Sequence, residues 1–454
     1  MNNQHSFSVG YARMDITPAE SLPLAGYGNT MQRLSQGVLD PLYATCIAIT
    51  DRNGSTLLLC TLDLINSMQA YSGPTRDAIS EKYNIPREAI VFSATHTHSA
   101  PDMSQAEYPP IIRYREQLVE KLTDLAGAAL ADRQNATMLA GSTYNEGMNF
   151  VRHYILEDGS YAGDNFGNFD AAPIRSHVSE ADRQIQLVKF CRQDGKDILM
   201  VNWQAHPTKA STRVTEFGWA NRPYISADFV GACRAYVEDK TGLRFAYFQG
   251  ACGNINSRSR IKDEDGTEYP TPYGQLLGDY ILNALDGLQP MQTGAIGAND
   301  IVVTSPINHS ENHLLPYTEE IVQLWKETND PKLCTERARP YGIHSAYHAS
   351  FIQRKAAMSG TLEFTLGAGC AGDLGFAFLP YEVFDTNGKY IKENSPFALT
   401  FILECANGMN NYIPSARGFE HGCYEADNCN FQPGTGEKAA DAALGLLNKL
   451  HEGR

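Results

Sequence analysis

The apolar run Ala89–Ala94 empties directly into Thr95-His96-Thr97-His98-Ser99-Ala100-Pro101-Asp102. A run this short, with Pro86 before it and a polar, proline-bearing loop after it, reads as a buried strand. The chain must therefore build a sheet with a histidine-rich exit. Strand side chains alternate faces, so His96 and His98, two apart, are expected to project from the same side. Two imidazoles at a strand exit suit a divalent metal. The alternative is a pair of hydrogen-bonded surface histidines.

Two more strand exits carry possible ligands. Ile198–Trp203 reads as a strand that ends in Gln204-Ala205-His206-Pro207-Thr208, where Pro207 stops regular pairing. Glu382 follows the run Phe376–Pro380, and a carboxylate there suits a metal shell or a general base. Each alone has a plainer reading, a structural histidine and a solvated glutamate; three separate strand exits together point to a site. Gly250-Ala251-Cys252-Gly253-Asn254-Ile255-Asn256 follows another strand, Arg244–Phe248, and its glycines permit close backbone approach to a ligand. No Lys-Ser or Lys-Thr follows, so it is not a phosphate loop. Gly-x-Ser-x-Gly is absent, which leaves a nucleophile-elbow hydrolase without support. Cys252 lies among apolar residues and reads as an inert thiol.

The remaining elements mix without strict alternation. Ala44–Ile49 and Thr56–Leu64 form a hairpin around Asp51-Arg52-Asn53-Gly54, and Gln184–Cys191 pairs with Ile198–Trp203. Helices are expected at Pro74–Tyr83, with Pro74 in the first helical position, and at Tyr114–Asp132, Phe229–Glu238, Tyr273–Leu288 and Glu437–His451. Pro316–Met358 is charged and helical in pattern, with strands resuming at Thr361–Leu366 and Gly375–Leu379. The expected fold is α/β in the broad sense, a mixed α+β architecture of layered sheets with flanking helices and a helical insertion around 316–358.

Composition excludes some partners. A formal net charge of -15 repels phosphate backbones, so no nucleic-acid partner is expected. The longest apolar runs are too short to span a bilayer. The N-terminus has neither a basic region nor an apolar one of the secretory kind, so the expected compartment is the cytoplasm. The 10 cysteines form no CxxC pair and mostly sit in apolar runs; buried thiols are expected, with Cys423 and Cys429 the pair to watch for a bridge. The oligomeric state is left open.

Several short blocks then carry a resemblance. Val9-Gly10-Tyr11-Ala12-Arg13-Met14-Asp15-Ile16-Thr17-Pro18, Ala25-Gly26-Tyr27-Gly28, Thr61-Leu62-Asp63-Leu64, Thr95–Pro101, Asn202–Pro207, Pro380-Tyr381-Glu382 and Asn407–Pro414 resemble, in order, blocks of the neutral/alkaline non-lysosomal ceramidases. The resemblance spans nearly the whole chain and implies one catalytic domain over 1–454, without the C-terminal β-sandwich of larger members. It implies zinc (Zn2+) held by His96, His206, Glu382 and Tyr412. It makes His98 the second active-site histidine, and Arg152 and Tyr424 the substrate-orienting pair. The family's Gly-Asp/Asn-x-Ser-Pro-Asn motif appears as Gly253-Asn254-Ile255-Asn256-Ser257-Arg258, with Asn256 replacing the serine. Gly253 and Asn256 would then line the substrate.

The expected function is zinc-dependent amidase chemistry on a small molecule other than ceramide, by a metal-activated water, with His98 as general base or acid and Arg152 and Tyr424 stabilising the oxyanion. One rival is a metal-dependent reaction on another polar small molecule, such as a sugar derivative or an ester. The other is a non-catalytic binding relative, which the replaced serine keeps open.

Overall fold

The computed structural model describes residues 7–27, 30–165, 171–210, 212–215, 218–221, 223–260, 269–408 and 411–453; Gly28, Met409 and Asn410 of the blocks quoted above lie outside them. The architecture is mixed α+β, with several sheets and, among the described residues, no barrel.

The main sheet runs in the order Arg244–Gln249, Ile198–Trp203, Gln184–Arg192, Gln134–Tyr144, Phe7–Asp15, Tyr43–Thr50, Thr56–Leu62, Ile90–Ala94, with Gln289–Met291 added beside Gln134–Tyr144. Its inner pairs are antiparallel, whereas Ile198–Trp203 with Arg244–Gln249, and Thr56–Leu62 with Ile90–Ala94, are parallel. Ile90–Ala94 and Ile198–Trp203 are buried at every position, as near-continuous apolar runs beside parallel neighbours should be. Helices Gln69–Tyr83 and Pro109–Ala131 cover one stretch of the sheet, the second burying Leu118, Leu122 and Leu125 on one stripe.

A second sheet, Ile296–Pro306, Thr361–Ala371, Leu374–Phe378 and Leu399–Leu403, delivers the C-terminal site residues. The segment after Leu403 wedges between the two outer strands of the main sheet. Glu404 N donates to Gln249 O at 3.0 Å, and its carbonyl accepts from Ser93 Oγ at 3.0 Å. Asn202, on the strand that leads to His206, accepts from Ile402 N and donates back to Ile402 O, at 3.0 and 2.8 Å. The two sheets are thereby stitched together where their strands end.

Two expectations are corrected, the start of the first helix and the state of the cysteines, and the expected helical insertion takes definite form. The first helix starts at Gln69, not Pro74, which sits inside it; Pro74 leaves one early carbonyl without its helical donor, and Ala70, the residue four before it, is exposed to water. The helical insertion is three helices, Leu315–Thr328, Pro331–Ala338 and Ala346–Ala357, around a small core that includes Ile321, Ile343 and Ile352. The cysteines are not all free thiols: Cys46 and Cys60 form a disulfide, while Cys423 and Cys429 remain separate. The turn at 51–55 sets a register that puts position 46 opposite 60, with Cα atoms 4.1 Å apart.

Candidate metal centre

The sequence-predicted histidines and the glutamate meet at the strand ends. Thr95 N and His96 N donate to Leu62 O and Leu64 O at 2.8 and 2.9 Å, so the chain leaving Ile90–Ala94 follows the neighbouring exit. His96 is not in a strand. It has φ 70°, a left-handed conformation costly for a non-glycine residue. Strand alternation is therefore not what turns His96 and His98 together; the bend at His96 does, with His98 N donating to Pro207 O at 3.3 Å. His98 also needs Gly26, φ 99°, where any Cβ would fall 2.4 Å from its Nδ1.

The ring centroids lie 4.7 Å apart for His96 and His206, 5.1 Å for His96 and His98, and 5.5 Å for His98 and His206. Glu382 Oε2 is 3.4 Å from His96 Nε2 and 3.2 Å from His206 Nε2. All four residues are buried. His96 Nδ1 faces Ile65 O at 2.7 Å, and His206 Nδ1 faces Ile255 O at 3.0 Å. A carbonyl only accepts, so each Nδ1 carries a proton and each ring turns its Nε2 inward. His206 Nε2 and Glu382 Oε2 have no hydrogen-bond partner. Burial, helped by Arg152, pushes His206 down to about 4. Of the described residues, only His98 Nε2, 3.4 Å from His96 Nε2, stands close enough to donate among these acceptors, and two imidazoles with a carboxylate are the donor set of a zinc-type ion. The residues fit the metal that the family implies.

Pairing sets Tyr412 beside Glu382. Val383 and Ile413 extend a short parallel ladder in which Glu382 lies opposite Tyr412. The Tyr412 hydroxyl accepts from Arg152 Nη2 at 3.3 Å, and the Arg152 guanidinium stands 5.7 Å from its ring. Burial, then Glu382, raises the Tyr412 phenol well above its ordinary value. Arg152 also donates to Gly253 O at 2.8 Å and Asn256 Oδ1 at 3.4 Å. Burial opposes its charge, but Glu425, Tyr412 and Glu382 hold it firmly protonated. The Tyr424 ring lies 5.7 Å from Tyr412, and its phenol is pushed up to about 12 by burial and Glu382. Gly253 N donates to Val383 O at 2.9 Å, and a Cβ on Gly253 would meet Glu382 O at 2.6 Å. The Cys252 thiol is raised well above its ordinary range by burial and Glu404, so it is no nucleophile.

A model for the N-terminal part of the neutral/alkaline non-lysosomal ceramidases matches residues 7–250, more than half of the chain. The chain belongs to the neutral/alkaline non-lysosomal ceramidase family. Membership makes it a neutral ceramidase-like hydrolase, in a family that is metal-dependent. Two solved structures share the fold of this ceramidase-family chain. A ceramidase complexed with C2 superposes with a TM-score of 0.71 at 15% identity, over 99% of this chain and 76% of that one. A neutral ceramidase from Pseudomonas aeruginosa superposes at 0.72 and 16% identity, over 99% and 75%. No curated protein matches the sequence.

Several site residues of this family member escape sequence reasoning. Glu425, buried, binds Arg152 Nε at 2.6 Å and His153 Nε2 at 2.7 Å. Asp164 accepts from Asn256 Nδ2 at 2.6 Å. Their only sequence signal is proximity to Tyr424 and Arg152. A second group, His344, His348 and Asp427, also gathers ligand-type atoms. There the logic reverses. His348 Nδ1 accepts His344 N–H at 3.1 Å, so its proton sits on Nε2 and points at Glu311 Oε1, 2.7 Å away. Protons already fill that site, and Lys355 Nζ completes it at 2.7 Å from Glu311.

Proposed function

We propose that the chain is a zinc-dependent amidase that cleaves the N-acyl bond of a small polar molecule other than ceramide, with His96, His206, Glu382 and Tyr412 holding the ion. The carrying observation is that the Nε2 atoms of two buried imidazoles, whose Nδ1 atoms face carbonyls, converge on one buried carboxylate oxygen. When bound, zinc would supply Lewis acidity and lower the pKa of a bound water to about 7.

The chain's own groups supply the rest. Burial holds the His98 ring well below its ordinary pKa, so it is neutral at pH 7, free to take a proton and pass it to the departing amine. Arg152 brings a permanent charge beside Tyr412, and Tyr424 keeps its phenolic proton. Together they would stabilise negative charge that develops on the carbonyl oxygen. Asn256 has its amide committed to Asp164 and Arg152, which supports water rather than a side chain as nucleophile. A net charge of -15 works against docking on an anionic lipid surface, which supports a soluble polar substrate over ceramide.

The test is metal analysis combined with amine release from a panel of N-acyl amino sugars, N-acyl amino acids and short-chain ceramide. Stoichiometric zinc and turnover of a polar amide, both lost in His96→Ala, are expected. Turnover by metal-free protein ends the zinc reading; ceramide outperforming every polar amide ends the substrate reading.

A further inference from the structure

A cavity of about 520 Å3 opens beside Asn254 and Phe384, and none of His96, His98, His206, Glu382 or Tyr412 lines it. Three polar groups on its wall are buried without a hydrogen-bond partner. His421 is 9% exposed, and neither of its ring nitrogens is bonded. Asn387 is 4% exposed, and its Nδ2 is unbonded. Glu437 Oε2 is likewise bare, although Oε1 accepts from Ala416 N at 2.8 Å. Bare polar groups are rare in packed interiors and ask for an explanation.

Their chemistry is mixed. The amide donates, the carboxylate accepts, and a neutral imidazole does one of each. Burial, His153 and Arg417 push His421 down to about 4, so it is neutral near pH 7. Charge on the wall is mixed as well: Arg417, Glu437 and Asp441 all line it, and Asp441 already accepts from Tyr390 Oη at 3.1 Å. That balance suits neither a strong anion nor a strong cation. The rest of the wall is largely apolar and aromatic. Phe384 meets His153 edge-on at 5.6 Å, and Tyr390 lines the same cavity. A hydroxyl group donates and accepts through one atom, and a pyranose ring adds a C–H face that packs on aromatic rings.

We propose that this cavity is a second ligand site for a small neutral saccharide, whose hydroxyl groups pair with His421, Asn387 and Glu437. The site stands independently of the zinc reading. It lies one histidine from the hydrolase centre: His153 lines the cavity and binds Glu425, which holds Arg152.

Saturation-transfer NMR on the full chain tests it, with D-glucose and N-acetyl-D-glucosamine as probes and benzoate as the anionic control. Transfer to the sugar ring protons at millimolar concentration is expected, unchanged after treatment with EDTA. His421→Ala and Asn387→Ala should each weaken binding about tenfold, the scale of one lost hydrogen bond. Ser179, on the exposed rim, offers a variant clear of the core: Ser179→Trp should block binding with the melting temperature unchanged. The proposal is overturned by silence from both sugars, by binding that survives Ser179→Trp, by loss of binding on chelation, or by benzoate binding more tightly than the sugars.

Discussion

His206 Nε2 and Glu382 Oε2 lie 3.2 Å apart, both buried, with the histidine's proton committed to Ile255 O on the far side of the ring. Two acceptors at hydrogen-bond distance repel unless a cation lies between them. Glu382→Gln should therefore act in opposite directions on the two forms of the protein. An amide N–H at that position donates to His206 Nε2, so metal-free Glu382→Gln should be more stable than metal-free wild type by about 1–2 kcal/mol. The same change removes the anionic ligand and should abolish stoichiometric metal binding. Denaturant titrations of EDTA-treated and zinc-loaded protein measure both effects. A metal-free variant weaker than its parent contradicts the account.

Gly253 carries a second prediction. Its absent Cβ leaves room for Glu382 O and C, at 2.6 and 2.9 Å from where that atom would sit, and these are backbone atoms that cannot rotate away. Gly253→Ala should push the Glu382 strand off its pairing with Tyr412 and cost roughly 1–3 kcal/mol, the usual penalty for overpacking. Zinc affinity should fall with it. Unchanged melting and unchanged metal content would show that the two loops move apart freely.

How much of this was legible follows from the kind of signal each part leaves. His96, His206 and Glu382 stand just past largely apolar runs, and buried strands that empty into polar loops announce their exits. Tyr412 had no such mark and entered only through the family resemblance, since its place depends on a two-residue ladder with Glu382. Glu425 sits in Tyr424-Glu425-Ala426-Asp427, which looks like a solvated stretch until the fold closes Arg152 and His153 over it. The strands Gln134–Tyr144 and Ile296–Pro306 were not read, because polar residues and glycine or proline interrupt their apolar positions. The Cys46–Cys60 bridge was readable from the hairpin register, but expected compartment and burial argued for free thiols. The turn of His96 into φ 70° was beyond periodicity, which describes regular strands and says nothing of the residue that leaves one.

Histidine tautomers separate the two ligand clusters. His96 and His206 should carry their protons on Nδ1, because each faces a carbonyl. His348 should carry its proton on Nε2, because its Nδ1 receives the His344 N–H. Long-range 1H–15N correlation spectra of imidazole-labelled protein distinguish these forms directly. Zinc titration should then move the His96 and His206 signals and leave His348 unmoved. A zinc-dependent shift at His348 would mean that the Glu311–His348–Asp427 cluster trades its protons for metal.

The Arg152–Glu425 pair sets a pH-dependent prediction. Burial alone would raise the Glu425 carboxyl, but Arg152 and His153 bring it down to about 2, from an ordinary 4.5. A carboxylate with a depressed folded pKa binds fewer protons in the folded chain than in the unfolded one across that window. Its contribution to stability is thus complete above pH 4.5 and drains away as pH falls toward 2. Glu425→Gln keeps the shape, removes the charge and strands Arg152, which is 4% exposed. At pH 7 the cost should be about 3–5 kcal/mol, as for a broken buried ion pair. Because wild type loses the same interaction in acid, the gap between the two proteins should shrink between pH 5 and the onset of acid unfolding. Chemical denaturation at stepped pH reads the gap at each point. A gap that stays constant down to the acid limit would show that Glu425 holds Arg152 by shape and hydrogen bonding alone, without its charge.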